Sequence, residues 1–274
     1  MIGLSACQTV GPDYVAPKFD LVGAYTPPVP VIAANQADHG RWWESTRDPV
    51  LSELIALGLA NNLDLRIAAS RIEEARAVAR GISGANGIEV GASVNGDAER
   101  GTSSRERGSQ TTDIGYRAGI DFSWTADVWG GQQREDEVAL ADYLEQVYLR
   151  EDVYLTVIAD IVRNYIELRG TQKRQELLRS SLDLQRQTSN IVEVRMQTGL
   201  ASELDLSRAR AEVSDIEATL PTLQTDIDRS INAIGILLGA QPGSYRDRLV
   251  DVQPLPEFDS APPIGIPADL LRRR

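Results

Sequence analysis

Two side chains in this sequence have distinctive reactive chemistry, and each occurs once: the thiol of Cys7 and the imidazole of His39. A lone thiol excludes an intrachain disulfide framework and a cysteine-built zinc cluster. With one His, one Cys and no glycine loop of the phosphate-cradling kind, the common nucleophilic and metal-assisted arrangements lack their members. No catalytic residue, metal site or cofactor is therefore assigned, and an enzyme is the least supported class. His39 sits among polar residues of a proline-rich stretch and reads as solvent-facing; the acidic pair Glu73-Glu74 reads as helix surface.

Cys7 has a more specific setting. Leu4-Ser5-Ala6-Cys7 has the form of a bacterial lipobox, in which small side chains fit a signal peptidase and the thiol carries a diacylglycerol. A signal peptide needs a basic start and an apolar stretch of about 7–15 residues. Only six residues precede Cys7, so residues 1–7 read as a truncated lipoprotein signal or a mis-assigned start. An incidental thiol near the chain terminus is the alternative.

Bulk properties narrow the classes. The chain has 274 residues, 42% hydrophobic but only 5% aromatic, which disfavours a large aromatic-rich core. Charged residues reach 25%, and Ala, Leu, Arg, Glu and Gln recur through the middle, a composition of long helices and coiled coils. A net charge of -12 argues against nucleic-acid binding, which needs a basic surplus. No apolar run approaches the roughly 18 residues of a membrane-spanning helix.

The elements follow from spacing. Residues 8–48 form an extended Pro-rich strap (Pro12, Pro17, Pro27, Pro28, Pro30), with Trp42-Trp43 near its end to pin it to a helical surface. Asp48-Pro49 is a helix start, cap then proline, and apolar residues at helical spacing carry a helix over 49–84, with an irregularity at Asn61-Asn62.

The period then switches to alternation. Ile88, Val90, Ala92 and Val94 alternate with polar or small residues, as do Ile114, Tyr116, Ala118, Ile120, Phe122 and Trp124. This predicts a β-hairpin over 86–126 with a polar loop from Asp97 to Thr112. Each run is near the ~10 residues of a tilted transmembrane strand. One face is apolar and aromatic; the other carries Glu89, Arg117 and Asp121. A soluble hairpin packed on a core gives the same alternation, and periodicity alone leans to it.

From 132 to 198 the chain has no proline and one glycine, Gly170, with Leu140, Leu144, Val147, Tyr154, Ile158, Ile161, Tyr165 and Leu168 at 4-3 spacing. About 65 residues at 1.5 Å each make a rod of some 98 Å, which needs lateral partners. Thr198-Gly199 ends it, and Ser202 with Glu203 and Asp205 opens a returning helix over 202–239 that Pro221 should bend. Residues 240–274 are loop-like and end in what resembles a fresh start, Ile266-Pro267-Ala268-Asp269-Leu270-Leu271.

Seven local sequences, in order, carry a resemblance. They are Cys7 with Gly11-Pro12-Asp13-Tyr14 and Pro17; Trp42-Trp43 with Asp48-Pro49; and Asn61-Asn62-Leu63-Asp64-Leu65 with Arg71-Ile72-Glu73 and Ala75-Arg76-Ala77. Then come Ser123-Trp124; Asp127-Val128-Trp129-Gly130; Gly199-Leu200-Ala201-Ser202-Glu203-Leu204-Asp205; and Ile266-Pro267 through Arg273. Together they resemble the first repeat of the outer membrane factors, the TolC-like and NodT-like channels of tripartite efflux.

The resemblance implies a mainly α fold. Long antiparallel coiled-coil helices carry one inserted transmembrane β-hairpin, half of a protomer whose trimer closes an α-barrel and a β-barrel. It implies a passive, lipid-anchored conduit in the bacterial outer membrane, extending into the periplasm. The partners would be a periplasmic adaptor, an inner-membrane efflux pump, outer membrane lipid and two further copies in a homotrimer. Cys7 would be acylated, carrying palmitate and diacylglycerol. Glu89, Arg117 and Asp121 would face the pore, and Thr198, Gly199, Leu200, Ser202, Glu203 and Asp205 would form an adaptor-docking tip. Family members carry two such repeats, so this chain reads as a truncated N-terminal one. A periplasmic coiled-coil adaptor, or another helical interaction protein, is the alternative.

Overall fold

The computed structural model describes residues 9–17, 39–102 and 110–257. Cys7, the strap from 18 to 38, the side chain of His39 and the fresh start at Ile266 lie outside the described residues. The chain divides into two compact units: Met1–Lys18 with Ser70–Val147, and Phe19–Ala69 with Tyr148–Arg274.

In the second unit a short 3-10 helix, His39–Thr46, leads into α1 (Pro49–Asn61). Asp48 is the cap. Its Oδ1 accepts from the amides of Val50 and Leu51 at 2.9 and 3.0 Å, and Pro49 fills the first position, where no amide is needed. Its other oxygen accepts from the Tyr165 hydroxyl at 2.8 Å, tying the cap to α3 (Gly131–Gln197).

Trp43, Leu51, Leu54 and Ile55 form a core with Ile158, Ile161, Tyr165 and Leu168 of α3 and with Ile227, Ile231 and Ile234 of α4 (Glu203–Leu237). The backbones approach closely at Gly58, where a β-carbon would overlap the end of Ile161.

The helix expected over 49–84 is two helices, α1 and α2 (Leu63–Ala85). Asn62, at the junction, has extended backbone and is 3% exposed. Its Oδ1 accepts from the amides of Asp64 and Leu65, capping α2, while its Nδ2 donates to the carbonyl of Leu237 at 2.9 Å. One amide thus replaces the hydrogen bonds that a continuous helix would have supplied.

α3 and α4 run antiparallel. Gln175 bonds Gln224, Arg186 pairs with Glu217 and Glu193 with Arg210, so partners move in opposite directions along the two helices. α4 passes through Pro221 as one element. Proline has no amide, so the carbonyl of Glu217 loses its usual partner there.

The segment after 240, expected as loop, contains a four-residue helix, α5 (Arg246–Leu249). Leu249 is fully buried in the core, Arg246 pairs with Asp228 at 2.8 Å, and Arg248 pairs with Glu53. Beneath it lies Arg169, 1% exposed, which donates to the Asp251 carbonyl at 2.7 Å and to Gln172 at 2.8 Å. Its guanidinium stacks over the Tyr165 ring, and its Nε has no partner among the described residues.

The first unit holds most of α2, the start of α3 and a two-stranded antiparallel sheet of β1 (Glu89–Thr102) and β2 (Gln110–Ser123). Asn86 at the end of α2 donates to the carbonyl of Gln132 and to Asp136. Asp127 accepts from the amides of Gly131 and Gln133 at 2.8 and 3.1 Å, capping α3 just after β2. No helix among the described residues is long and apolar enough to cross a membrane.

Candidate functional site

The hairpin pairs 14 residues on 14 without a bulge, from Glu89↔Ser123 to Thr102↔Gln110. Because successive side chains alternate, this register sorts the residues into two faces. Val90, Val94, Ile114, Tyr116, Ile120 and Phe122 share one face and are 57 to 84% exposed. Glu89, Arg117 and Asp121 share the other, where the Ser123 hydroxyl donates to Glu89 at 3.1 Å.

The strands run further than expected. The alternation continues through Asp97 and Glu99 on β1, residues assigned from sequence to the loop, and takes in Asp113 on β2, just past the loop's expected end. They join the polar face, with Glu99 directly opposite Asp113. Two like charges side by side are tolerable only in water. Sequence reasoning missed them because small and polar residues mask the period; the alternation Asp97, Ala98, Glu99 was the available signal.

The reversal between α3 and α4 is built from two local devices. Gly199, at φ +74, donates to the carbonyl of Met196, and Leu200 donates to Arg195 at 2.7 Å, closing the end of α3. Ser202 then caps α4: its hydroxyl accepts from the Asp205 amide, while the Asp205 carboxylate accepts from the Ser202 amide. The Ser202 hydroxyl and amide hold the Asp205 carboxyl below its ordinary value of 3.8. Thr198, Gly199, Leu200, Ser202, Glu203 and Asp205 are all exposed, Leu200 by 70% and its neighbour Leu204 by 58%. The tip and the polar hairpin face belong to different units.

These features, a two-faced hairpin inserted between long helices and a capped helical reversal, define a class, and the comparisons give it a family. The outer membrane efflux protein family matches residues 54–240, and the chain belongs to that family. It is 28% identical over 274 residues to nodulation protein T of Rhizobium leguminosarum bv. trifolii, covering 99% of this chain and 57% of that protein. It is 30% identical over 298 residues to the toluene efflux pump outer membrane protein TtgF of Pseudomonas putida, covering 100% and 58%.

Among solved structures, the outer-membrane channel OprN is 30% identical at a TM-score of 0.82, covering 97% of this chain and 59% of that one. The Campylobacter jejuni CmeC channel, 19% identical at a TM-score of 0.76 and covering 94% and 55%, shares the fold. The chain therefore spans a little over half the length of the curated relatives it matches. TtgF is an outer membrane component of an efflux pump and OprN an outer-membrane channel, likenesses that favour the channel reading over a periplasmic adaptor.

Proposed function

We propose that this chain supplies one hairpin-and-helix repeat of an outer membrane channel serving a tripartite efflux system, a passive conduit for small molecules and not an enzyme. The observation that carries the reading is the two-faced hairpin. Its apolar face has no cover among the described residues, and lipid is the solvent that suits it. Among the described residues its strands form a two-stranded sheet with both outer edges open. Hydrocarbon tolerates no unpaired edge, so such a hairpin works only within a closed barrel built from further hairpins. A homotrimer supplies them.

In that barrel Glu89, Arg117 and Asp121, with Asp97, Glu99 and Asp113, line water. The α3–α4 tip receives the periplasmic adaptor: Leu200 and Leu204 offer exposed apolar contact beside the carboxylates of Glu203 and Asp205. The inner-membrane pump provides the energy, and the conduit itself binds no cofactor. Acylated Cys7 tethers the protomer, so Cys7→Ser should lose palmitate labelling and weaken membrane retention without closing the channel.

The deciding experiment reconstitutes the intact protein in a planar bilayer. Stepwise conductance supports the reading, and its absence from a folded, membrane-inserted protein overturns it.

A further inference from the structure

Thr9, Val10 and Asp13 contact the residues that open α3 within the first unit. The amide of Val10 donates to the carbonyl of Trp129 at 2.8 Å, and the carbonyl of Val10 accepts from Arg134 Nε at 3.1 Å. The same guanidinium donates through Nη2 to Asp13 and through Nη1 to Glu137, each at 2.6 Å. One arginine thus grips both main chain and side chain of the segment, while Glu137, nearly a turn further along α3, keeps the planar fork aimed. The Asp13 and Glu137 carboxylates raise the pKa of Arg134, consistent with a cation held by both.

Gly130 supplies the fit. It stands at φ +71, and a β-carbon there would lie 2.7 Å from the Thr9 methyl, so Thr9 lodges against a residue that must lack a side chain. The segment is otherwise exposed, Tyr14 by 85% and Val15 by 80%. Apolar burial does not hold it down; the directed contacts do.

We propose that Arg134 and Gly130 form a receiving site for the chain's own N-terminal segment, fixing its leading end at the base of the β-hairpin. Thr9 stands two residues after Cys7, and two residues of chain reach at most about 7 Å. A lipid group on Cys7 would then be tethered through this segment to the hairpin it serves. This consequence rests on the acylation reading given above; the receiving site itself does not. Arg134 acts as a positioning residue.

The test uses the intact protein and hydrogen exchange of the Val10 amide. Arg134→Ala should speed that exchange roughly ten-fold, as local opening replaces a held segment, while amides paired between β1 and β2 keep their rates. Arg134→Lys should recover little, because an ammonium lacks the fork.

A second measurement reads position directly: spin labels on Val15→Cys and Glu135→Cys should give one narrow distance in the parent and a broad distribution with Arg134→Ala. An unchanged exchange rate and an unchanged distribution would together overturn the receiving site. Gly130→Ala should loosen the segment as well, and Thr9→Gly in the same chain should restore part of the protection. A parent that takes up no palmitate yet shows Arg134-dependent exchange still supports the receiving site and overturns only the acylation.

Discussion

Single residues decide how closely the helices of the second unit approach. Gly58 on α1 faces the fully buried Ile161 of α3. Adding a methyl there overpacks a closed site, so Gly58→Ala should cost about 1–3 kcal/mol in denaturant unfolding of the intact protein. Ile161→Val removes the atom that the new methyl meets, and the double variant should be more stable than the sum of the singles requires. Simple additivity would mean that this contact does not set the spacing.

Arg169 presents the opposite case, a charge that the core has taken in. Truncation to Ala leaves the carbonyl of Asp251 without its donor, and a loss of about 2–4 kcal/mol should follow in the same unfolding assay. A change within experimental error would show that water enters readily in its place. Neither residue announces its role in the sequence. Gly58 reads as a weak spot in a helix, and Arg169 reads as helix surface, because both roles depend on partners tens of residues away.

At the scale of elements, the ends were legible, whereas the joint at Asn61-Asn62 showed only as an irregularity and α5 not at all. Asp48-Pro49, Thr198-Gly199 and Ser202 through Asp205 terminate helices by bonds to their own neighbours, so short-range chemistry is enough to read them. The break at Asn62 depends instead on the carbonyl of Leu237, and α5 depends on a core that receives Leu249, so their form is absent from the local pattern.

The α4 cap carries a pH prediction. The Asp205 carboxyl titrates below its ordinary 3.8 in the folded chain. Its contribution is therefore fully present above that ordinary value and is lost as pH falls through the lower, folded one. Protection of the Asp205 amide, corrected for intrinsic exchange, should fall in that acid range. Asp205→Asn should abolish the pH step. A parent without a step would show that the carboxylate bond to Ser202 is not maintained in solution.

For the whole molecule, the informative contrast is between two faces of one hairpin. Ile120 and Asp121 are adjacent in sequence but face opposite ways. On the proposed reading Ile120→Lys places an ammonium toward lipid and should cost roughly 2–4 kcal/mol near the bilayer midplane. Asp121→Lys, on the other face, should leave assembly intact and alter only the charge lining the water path. Outer-membrane fractionation of the intact protein decides the matter: equal retention of both variants would remove the lipid-facing assignment.

The same contrast shows how far the sequence could be read. The alternation from Ile114 to Phe122 revealed two faces, but not which solvent each meets; the proposal that the apolar face meets lipid rests on its exposure among the described residues and on membership of an outer membrane family.

The unbroken register from Glu89 to Thr102 has a consequence for how this stretch varies through descent. A deletion of one residue within a strand exchanges the inward and outward positions of everything between it and the loop. A deletion of two merely shortens the hairpin and leaves each remaining side chain where it was. Length differences between related genes should therefore fall in steps of two within the strands, while the connecting loop gains or loses residues one at a time. The hairpin would inherit change by parity.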